Sequence, residues 1–355
     1  MLTAAGWIGP AIVDIVDSVV AAIRPTSGPV DERLLVPGFV DLQVNGIEDV
    51  DVSSASGADW ERLDTLLLAQ GVTTWCPTLV TMPLSRYDAP LARIAAAIAR
   101  PPLRRPAIAG VHLEGPFLGA APGAHRVDQI IDIDREWLRR LPADVAIVTL
   151  GAEQPDAPAA IAELVRRGVL VSIGHTRASA VEFDSAVAAG ARLTTHLFNA
   201  MSGVHHREPG VATFAITNPA VSASLIADAV HVHPRIIRLA AQALGDDRLV
   251  LVTDAVAWRA GGVAGRAMAM RDGAPRLVDG TLAGSALTMD AAIRNCIAAG
   301  VEPVTALHAA SRNPARLLRL FDRGVIEVGA RADLVALTAD HQIEQVWQSG
   351  APVAR

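Results

Sequence analysis

The chain has 355 residues and a net charge of −6, and its 31 basic side chains are all arginine. Without lysine, the protein has no amine for a Schiff base, no P-loop lysine and no lysine to bridge two metal ions as a carbamate. The acidic balance argues against nucleic acid as the main partner, because phosphate backbones need a basic surface. A hydrophobic content of 51% is enough for a large core.

Neither the cysteines nor the first residues indicate export. Cys76 and Cys296 are too few for a disulfide framework and are typical of buried thiols in a reducing compartment. The first twenty residues lack a basic segment and contain Asp14 and Asp17, and the longest uncharged run, 65–85, is interrupted by glycine and proline. We therefore expect a cytoplasmic protein without a membrane segment.

Short apolar runs alternate with amphipathic stretches along the chain. Helices are predicted, among other places, over 58–70, 89–100, 156–167 and 178–189, and several end at a glycine. Continuous apolar strands between helices favour a parallel sheet covered on both faces, and eight such units predict a (β/α)8 TIM-like barrel. The eight predicted strands lie in RLLVPGFVDLQVNG, GVTTWCPTLV, PAIAGVHLEGP, DVAIVTLGAE, GVLVSIGHT, RLTTHLFNAM, VSASLIADAV and RLVLVTDA.

The two ends of the chain have a different pattern. Residues 8–23 and 324–347 contain short strand-like runs broken by turn residues, and each end is too short to be stable alone. We expect them to pair into one small β domain of residues 1–36 plus 322–355, beside a barrel of residues 37–321.

Polar side chains able to bind metal or move protons stand at the end of nearly every predicted strand. Active sites of such barrels lie at the C-terminal ends of the strands. Two histidines and a carboxylate are a known catalytic metal pattern that leaves one position open for water. The strand-end residues are Gln43, Asn45, His112, Glu114, His175, His196, Asn199, Asp228, His231 and Asp254.

From this set, Glu114, His175 and His196 are predicted to bind the metal, and Asp254 to accept a proton from the water. Taken singly, each histidine is more often a hydrogen-bonded structural residue. Arg207 follows the sixth strand in a loop where its guanidinium fork suits a phosphate or carboxylate, although such a loop is also typical of a solvated surface.

An ordered set of motifs resembles one known family. The N-acetylglucosamine-6-phosphate deacetylases of the amidohydrolase superfamily are similar to this chain from about residue 37 to residue 290. The resemblance implies a distorted (β/α)8 barrel and a small β-sandwich made from both termini. The motifs, in chain order, are PGFVDLQVNG, GVHLEGPF, GAH, SIGHT, THLFNAM, HREPG, IADAVHVHP, LVTDA and DGTLAGSALTMD.

Carried over by position, the resemblance implies a role for each site residue. Glu114, His175 and His196 would bind one divalent ion, zinc or iron, and Asp254 would be the catalytic acid and base. His125 would contact the acetamide carbonyl of the substrate. The implied substrate-binding positions are Asn199, Ala200, Arg207, His231, Gln43, Asn45 and Leu287, with Ser285 beside the last.

Two further implications concern metal number and assembly. Gln43 and Asn45 stand where many amidohydrolases have a histidine pair for a second metal ion, so a single ion is implied. Arg207 is implied to reach the active site of a neighbouring subunit, and hence a homodimer is expected. The expected partner is a phosphorylated N-acetylamino sugar, with no nucleic acid and no membrane.

Three departures from the family pattern leave alternatives open. Ala229 replaces a common glycine, Gly151 and Ala152 replace Ala-Pro, and the residues after Asp254 are unusual. The expected activity is hydrolysis of N-acetylglucosamine 6-phosphate to glucosamine 6-phosphate and acetate. The alternatives are an amidohydrolase acting on another N-acetylamino sugar phosphate or on a cyclic amide, and a non-catalytic barrel that serves as a scaffold.

Overall fold

A computed structural model describes residues 1–28, 33–101, 104–263 and 265–353. Residues 29–32 and 354–355, which belong to the predicted small domain, lie outside the described residues. The same is true of residues 102, 103 and 264 within the predicted barrel segment.

Eight parallel strands form a barrel, as the sequence predicts. Each of the eight apolar runs contributes one strand, and strands that follow each other in the chain are neighbours in the sheet. The barrel strands are β1 (Phe39–Val44), β2 (Val72–Val80), β3 (Val111–Glu114), β4 (Val145–Leu150), β5 (Leu170–Ile173), β6 (Leu193–Thr194), β7 (Ser222–Leu225) and β8 (Leu249–Leu251).

The barrel closes between β1 and the residues after β8. Val44 and Ala255 form a parallel bridge, and the backbone N–H of Asp254 donates to the carbonyl of Gln43 at 3.0 Å. All six residues of β1 are buried, because one face packs into the barrel and the other against helices. This closure places Gln43 and Asp254, from opposite ends of the barrel sequence, side by side.

Helices follow most of the strands and pack outside them. The four helices named from the sequence are present within two residues of the predicted bounds at each end, and Ser179 and Glu182 form a capping box at the start of the fourth. The helices of the described residues are α1 (Asp59–Ala69), α2 (Asp88–Ile98), α3 (Arg135–Arg139), α4 (Ala157–Arg166), α5 (Ala180–Ala189), α6 (Val211–Thr217), α7 (Pro234–Arg248), α8 (Met289–Ala298), α9 (Pro303–Ala310) and α10 (Arg312–Leu317).

Strands from both ends of the chain pair with each other outside the barrel. Leu34–Pro37 lies antiparallel to Leu334–Leu337, which continues to Ile343–Gln348 and Ala351–Pro352. Two short hairpins precede them, Leu2–Thr3 with Gly6–Trp7 and Ala11–Val16 with Val19–Pro25. These antiparallel sheets match the predicted small β-sandwich, and its boundaries at residues 36 and 322 stay a prediction.

A small antiparallel sheet is inserted between β8 and α8. It consists of Gly262–Val263, Arg266–Arg271 and Ala274–Leu277. Met268 and Leu277 pack on Val256, which follows β8. The sequence pattern does not indicate this insertion, because its strands are short, partly exposed and rich in arginine.

Among the described residues, no helix is both long enough and apolar enough to cross a bilayer.

An ionic cluster in which His308 and Arg312 are buried and Asp246 is partly exposed attaches the N-terminal hairpin to the barrel. His308 Nδ1 lies 3.0 Å from Asp246 Oδ2, and His308 Nε2 lies 3.1 Å from the carbonyl of Thr3. The guanidinium of Arg312, which is 8% exposed, donates to Asp246 and to the carbonyl of Ala4. Burial acts to raise the pKa of Asp246, but His308 and Arg312 outweigh it, and the net pKa is lowered.

We predict that Asp246→Ala lowers the free energy of unfolding by about 1–2 kcal/mol, because buried donors on His308 and Arg312 lose their acceptor. The folded-state pKa of Asp246 is depressed, so its contribution is present above the ordinary pKa and is lost as the pH falls through the depressed value. Urea denaturation at pH 7 and in steps below pH 4 measures this.

Asp247→Ala is the matched control, because Asp247 also contacts Arg312 but its side chain is 71% exposed. An equal loss of stability in the two variants would contradict the role of the ionic cluster.

Candidate active site

The carboxyl ends of the barrel strands surround a cavity of about 250 Å³. The cavity lies where barrels of this kind hold their active sites. Its walls come from loops that follow different strands and from the segment after the inserted sheet. The lining residues include Asn45, Glu114, His125, His175, His196, Asn199, Ala200, His231, Asp254 and residues 281–284.

The three predicted metal ligands converge at the floor of this cavity. Glu114 Oε1 lies 3.2 Å from His175 Nε2 and 3.0 Å from His196 Nε2, and the two Nε2 atoms are 3.0 Å apart. All three side chains are at most 5% exposed. Among the described residues, this is the group of His, Cys, Asp and Glu side chains whose ligand atoms are close enough to share an ion.

The electrostatics of the three residues follow from their burial and proximity. Burial, with the neighbouring charge of His125, lowers the pKa of His175 to about 4, so this imidazole is neutral at pH 7. Burial acts to raise the pKa of Glu114, but the adjacent imidazoles of His125, His175 and His196 outweigh it and hold the pKa well below its ordinary value. A neutral imidazole and an ionised carboxylate are the forms that bind a metal ion.

The donor set fits a divalent cation. His175 Nδ1 lies 3.1 Å from the carbonyl of Ala121, which requires the proton on Nδ1 and leaves the lone pair on Nε2 facing Glu114 and His196. His196 Nδ1 is buried and has no partner among the described residues. With that proton on Nδ1, His175 Nε2 and Glu114 Oε1 are both acceptors 3.2 Å apart, and a cation between them would remove their repulsion. Two nitrogens and one oxygen are ligands that suit zinc and iron.

Asp254 stands beside this trio and is held by two amides. Its Oδ1 accepts a hydrogen bond from Asn45 Nδ2 at 2.7 Å and one from Gln43 Nε2 at 3.1 Å. Burial and the charge of Glu114 raise the pKa of Asp254 to about 7. With Oδ1 occupied, Oδ2 is the oxygen left to exchange a proton with a molecule in the cavity.

The same amides direct N–H groups towards the neighbouring carboxylates. Gln43 Nε2 also donates to Glu114 Oε1 at 2.9 Å, so its NH2 group faces two carboxylates. Amide nitrogens carry protons and offer no lone pair to a metal ion. Because the carboxylates of Glu114 and Asp254 accept hydrogen bonds, the NH2 end of each amide, and not its oxygen, faces them. Gln43 and Asn45 thus contact Asp254, whereas histidines at these positions would present ring nitrogens.

His125 reaches the trio from the loop after β3. Its Nδ1 lies 2.8 Å from the hydroxyl oxygen of Thr81, and its Nε2 lies 3.6 Å from Glu114 Oε2. The ring is 8% exposed and lines the cavity, so a small polar group in the cavity has access to it.

The predicted substrate-binding residues divide into two groups. Asn199, Ala200 and His231 line the cavity, as Asn45 does. Arg207 is exposed and does not line the cavity of its own chain. Leu287 is buried and is not among the residues that line the cavity, and the hydroxyl of the neighbouring Ser285 donates to the carbonyl of Thr253.

The backbone of the site is strained at the predicted metal ligands His175 and His196 and at Asp254. His175, His196 and Asp254 have positive φ angles of 50°, 35° and 48°, and Ala200 follows with 48°. This left-handed conformation costs a non-glycine residue about 1–2 kcal/mol. Such strain occurs where the surrounding structure imposes it, often in active sites. The turns direct the side chains of His175 and His196 towards Glu114.

Some residues that hold the site in place have no signal in the sequence. Thr81 contacts His125 from the end of β2. The carboxylate of Glu153 accepts hydrogen bonds from the backbone N–H groups of Ala120 and Arg177 and contacts the hydroxyl of Thr176. Glu153 thus connects the loop after β3 to the loop after β5, which contains His175. A threonine at a strand end and a glutamate in a turn are common everywhere, so only the packed structure distinguishes them.

Sequence and structure comparisons agree with this geometry. The Amidohydrolase family profile matches residues 34–353, and the chain belongs to this family. An N-acetylgalactosamine-6-phosphate deacetylase of Escherichia coli O157:H7 is 36% identical over 99% of this chain and 96% of its own length. An N-acetylglucosamine-6-phosphate deacetylase of Bos taurus is 37% identical over 89% of this chain and 82% of its own length.

Solved structures of similar proteins superpose on this chain over nearly its full length. The N-acetylglucosamine-6-phosphate deacetylase of Pasteurella multocida superposes with a TM-score of 0.92 at 29% identity, over 100% of this chain and 97% of its own. A variant of the Mycobacterium smegmatis enzyme in complex with N-acetyl-D-glucosamine 6-phosphate superposes with a TM-score of 0.89 at 32% identity, over 98% and 95%. The predicted fold class and family are thus confirmed.

Proposed function

We propose that this amidohydrolase removes the acetyl group from N-acetylglucosamine 6-phosphate and releases acetate and glucosamine 6-phosphate. The observation that carries the proposal is the cavity in which Glu114, His175 and His196 converge beside Asp254 and His125. Similar enzymes that act on phosphorylated N-acetylamino sugars support it. The cytoplasmic location stays a prediction from the sequence.

The proposed cofactor is one divalent ion, zinc or iron, held by Glu114 Oε1, His175 Nε2 and His196 Nε2. When bound, it would lower the pKa of a water molecule towards about 7 and polarise the acetamide carbonyl. The amide groups of Gln43 and Asn45 support a single ion, because they direct protons rather than lone pairs towards Asp254.

The chain's own residues supply the proton transfers. Asp254 Oδ2 accepts a proton from the water molecule as the water oxygen bonds to the carbonyl carbon. His125 donates a hydrogen bond to the oxygen that gains negative charge. Asp254 then returns the proton to the nitrogen of the sugar as the C–N bond breaks. The raised pKa of Asp254, about 7, suits a group that must take and release a proton at neutral pH.

The phosphate group requires a positively charged side chain. Among the described residues, the cavity lining includes four histidines, of which three face Glu114, and no arginine. Arg207 lies exposed in its loop, free to contact another molecule. We propose that Arg207 reaches the phosphate in the site of a second subunit, so that the working unit is a homodimer.

A second candidate substrate is N-acetylgalactosamine 6-phosphate. The specific reason is the relative from Escherichia coli O157:H7, which bears the name of a deacetylase for that sugar and matches nearly the full length of both chains. Comparison of acetate release from the two sugar phosphates and from unphosphorylated N-acetylglucosamine tests the proposal. Equal rates with and without the phosphate would contradict it, and a preference for the galactose isomer would select the second candidate.

Asp254→Asn is expected to lower kcat by about two orders of magnitude or more, because the amide accepts no proton from the water. The substitution keeps the size of the side chain, so metal content is expected to stay the same. Assays of acetate release and metal analysis measure both. Asp49→Asn, at an exposed aspartate, is the control. A near-normal rate for Asp254→Asn would remove Asp254 from the mechanism.

Arg207→Ala is expected to raise KM for the sugar phosphate by about ten- to a hundredfold, because a charge-assisted hydrogen bond is lost. The slow reaction with the unphosphorylated sugar should not change. Arg140→Ala, at a side chain that is 66% exposed, serves as the control.

A mixing experiment tests whether Arg207 acts across subunits. If subunits of Arg207→Ala and Asp254→Asn reassort in equal amounts, about a quarter of all sites regain both residues. Recovered activity supports the homodimer. If the activity of the mixed sample does not exceed the summed activities of the two separate variants, Arg207 does not act in the site of a second subunit.

A further inference from the structure

The turn after β7 surrounds the carboxylate of Asp228. Asp228 Oδ1 accepts the backbone N–H of Val230 at 2.9 Å and that of His231 at 2.7 Å. Asp228 Oδ2 lies 2.6 Å from His231 Nδ1. Both side chains are largely buried, with exposed fractions of 10% and 4%. His231 lines the cavity, whereas Asp228 lies behind it.

A strained residue makes this arrangement possible. Ala229, between Asp228 and Val230, has a φ of 62°, in the left-handed region. This conformation turns the chain so that both the backbone N–H and the ring of His231 meet the same carboxylate. A non-glycine residue holds it only where other contacts impose it, which indicates that the three hydrogen bonds to Asp228 determine the turn.

The carboxylate also determines where the ring carries its proton. Burial acts to raise the pKa of Asp228, but the hydrogen bond and charge of His231 and the two backbone N–H groups outweigh it, so the net pKa is lowered. An ionised carboxylate has no proton to give, and His231 Nδ1 must therefore be the donor. His231 Nε2 has no hydrogen-bond partner among the described residues and belongs to a ring in the cavity wall.

We infer that Asp228 is a positioning residue for substrate binding: it fixes the proton of His231 on Nδ1 and turns Nε2 towards the sugar phosphate. This inference rests on the proposed function. This position requires an aspartate and not an asparagine, because the two oxygens of the carboxylate together accept three hydrogen bonds. The amide has one acceptor oxygen, so it satisfies either the backbone or the ring, but not both.

The test combines kinetics with a measurement on the ring itself. Asp228→Asn is expected to raise KM for the sugar phosphate about tenfold while kcat changes less than about threefold, the loss expected for one binding hydrogen bond. His231→Gln should raise KM at least as much. In the double variant, Asp228→Asn should add nothing further, because it acts through His231.

Nitrogen-15 NMR of the histidine rings reports the tautomer without any substrate. His231→Gln identifies the His231 signals among the 10 histidines. The wild type is expected to show a proton on Nδ1 of His231, and Asp228→Asn a shift towards the tautomer protonated on Nε2. The tautomer of His231 in the wild type can be measured without any Asp228 variant, so the inference is tested even if Asp228→Asn does not fold.

Asp184→Asn, the same substitution at an exposed aspartate of α5, is the matched control. It should leave KM and the His231 tautomer unchanged. A wild-type His231 protonated only on Nε2, an unchanged KM in Asp228→Asn, or additive effects in the double variant would each overturn the inference. If the wild type releases no acetate, the proposed function fails, whereas the NMR result still decides how Asp228 holds the ring.

Discussion

A buried carboxylate placed against two imidazole nitrogens is the constraint on which the rest of the structure depends. Glu114 and the rings of His175 and His196 have lost almost all contact with water, and their acceptor atoms are about 3 Å apart. Removal of an ionised carboxylate from water costs several kcal/mol unless a positive partner offsets it. A divalent cation would provide that offset and would also separate the neighbouring acceptors Glu114 Oε1 and His175 Nε2, so the arrangement is consistent with a site built for an ion.

The barrel supports this site with a polar layer directly beneath it. Thr253 donates to Asp41 at 2.6 Å across the closure of the barrel, next to Gln43 and Asp254. On the other side, His112 contacts the hydroxyl of Thr149, which contacts Thr195. Buried groups with satisfied hydrogen bonds restrict strand register and side-chain rotation. The layer therefore keeps the strand ends in place while the residues above them hold strained, left-handed turns.

Much of this was predictable from the sequence, and what was not has a physical reason. The eight apolar runs predict the barrel because each strand is buried on both faces, and a polar residue at the end of such a run, as at Glu114 or His175, stands out against it. The absence of lysine excludes a carbamate between two metal ions, and the amides of Gln43 and Asn45 agree with this. By contrast, the orientation of Asp228 behind His231 and the absence of Leu287 from the cavity lining depend on turns and packing that periodicity does not encode.

We propose that one divalent ion binds between Glu114, His175 and His196. Anomalous diffraction from crystals of the wild-type protein, recorded on both sides of the zinc and iron absorption edges, locates such an ion. We expect a single peak per subunit, about 2.0–2.2 Å from Glu114 Oε1, His175 Nε2 and His196 Nε2, that appears above one of the two edges. A second peak beside Gln43 and Asn45, or an ion bound only away from these three atoms, would contradict it.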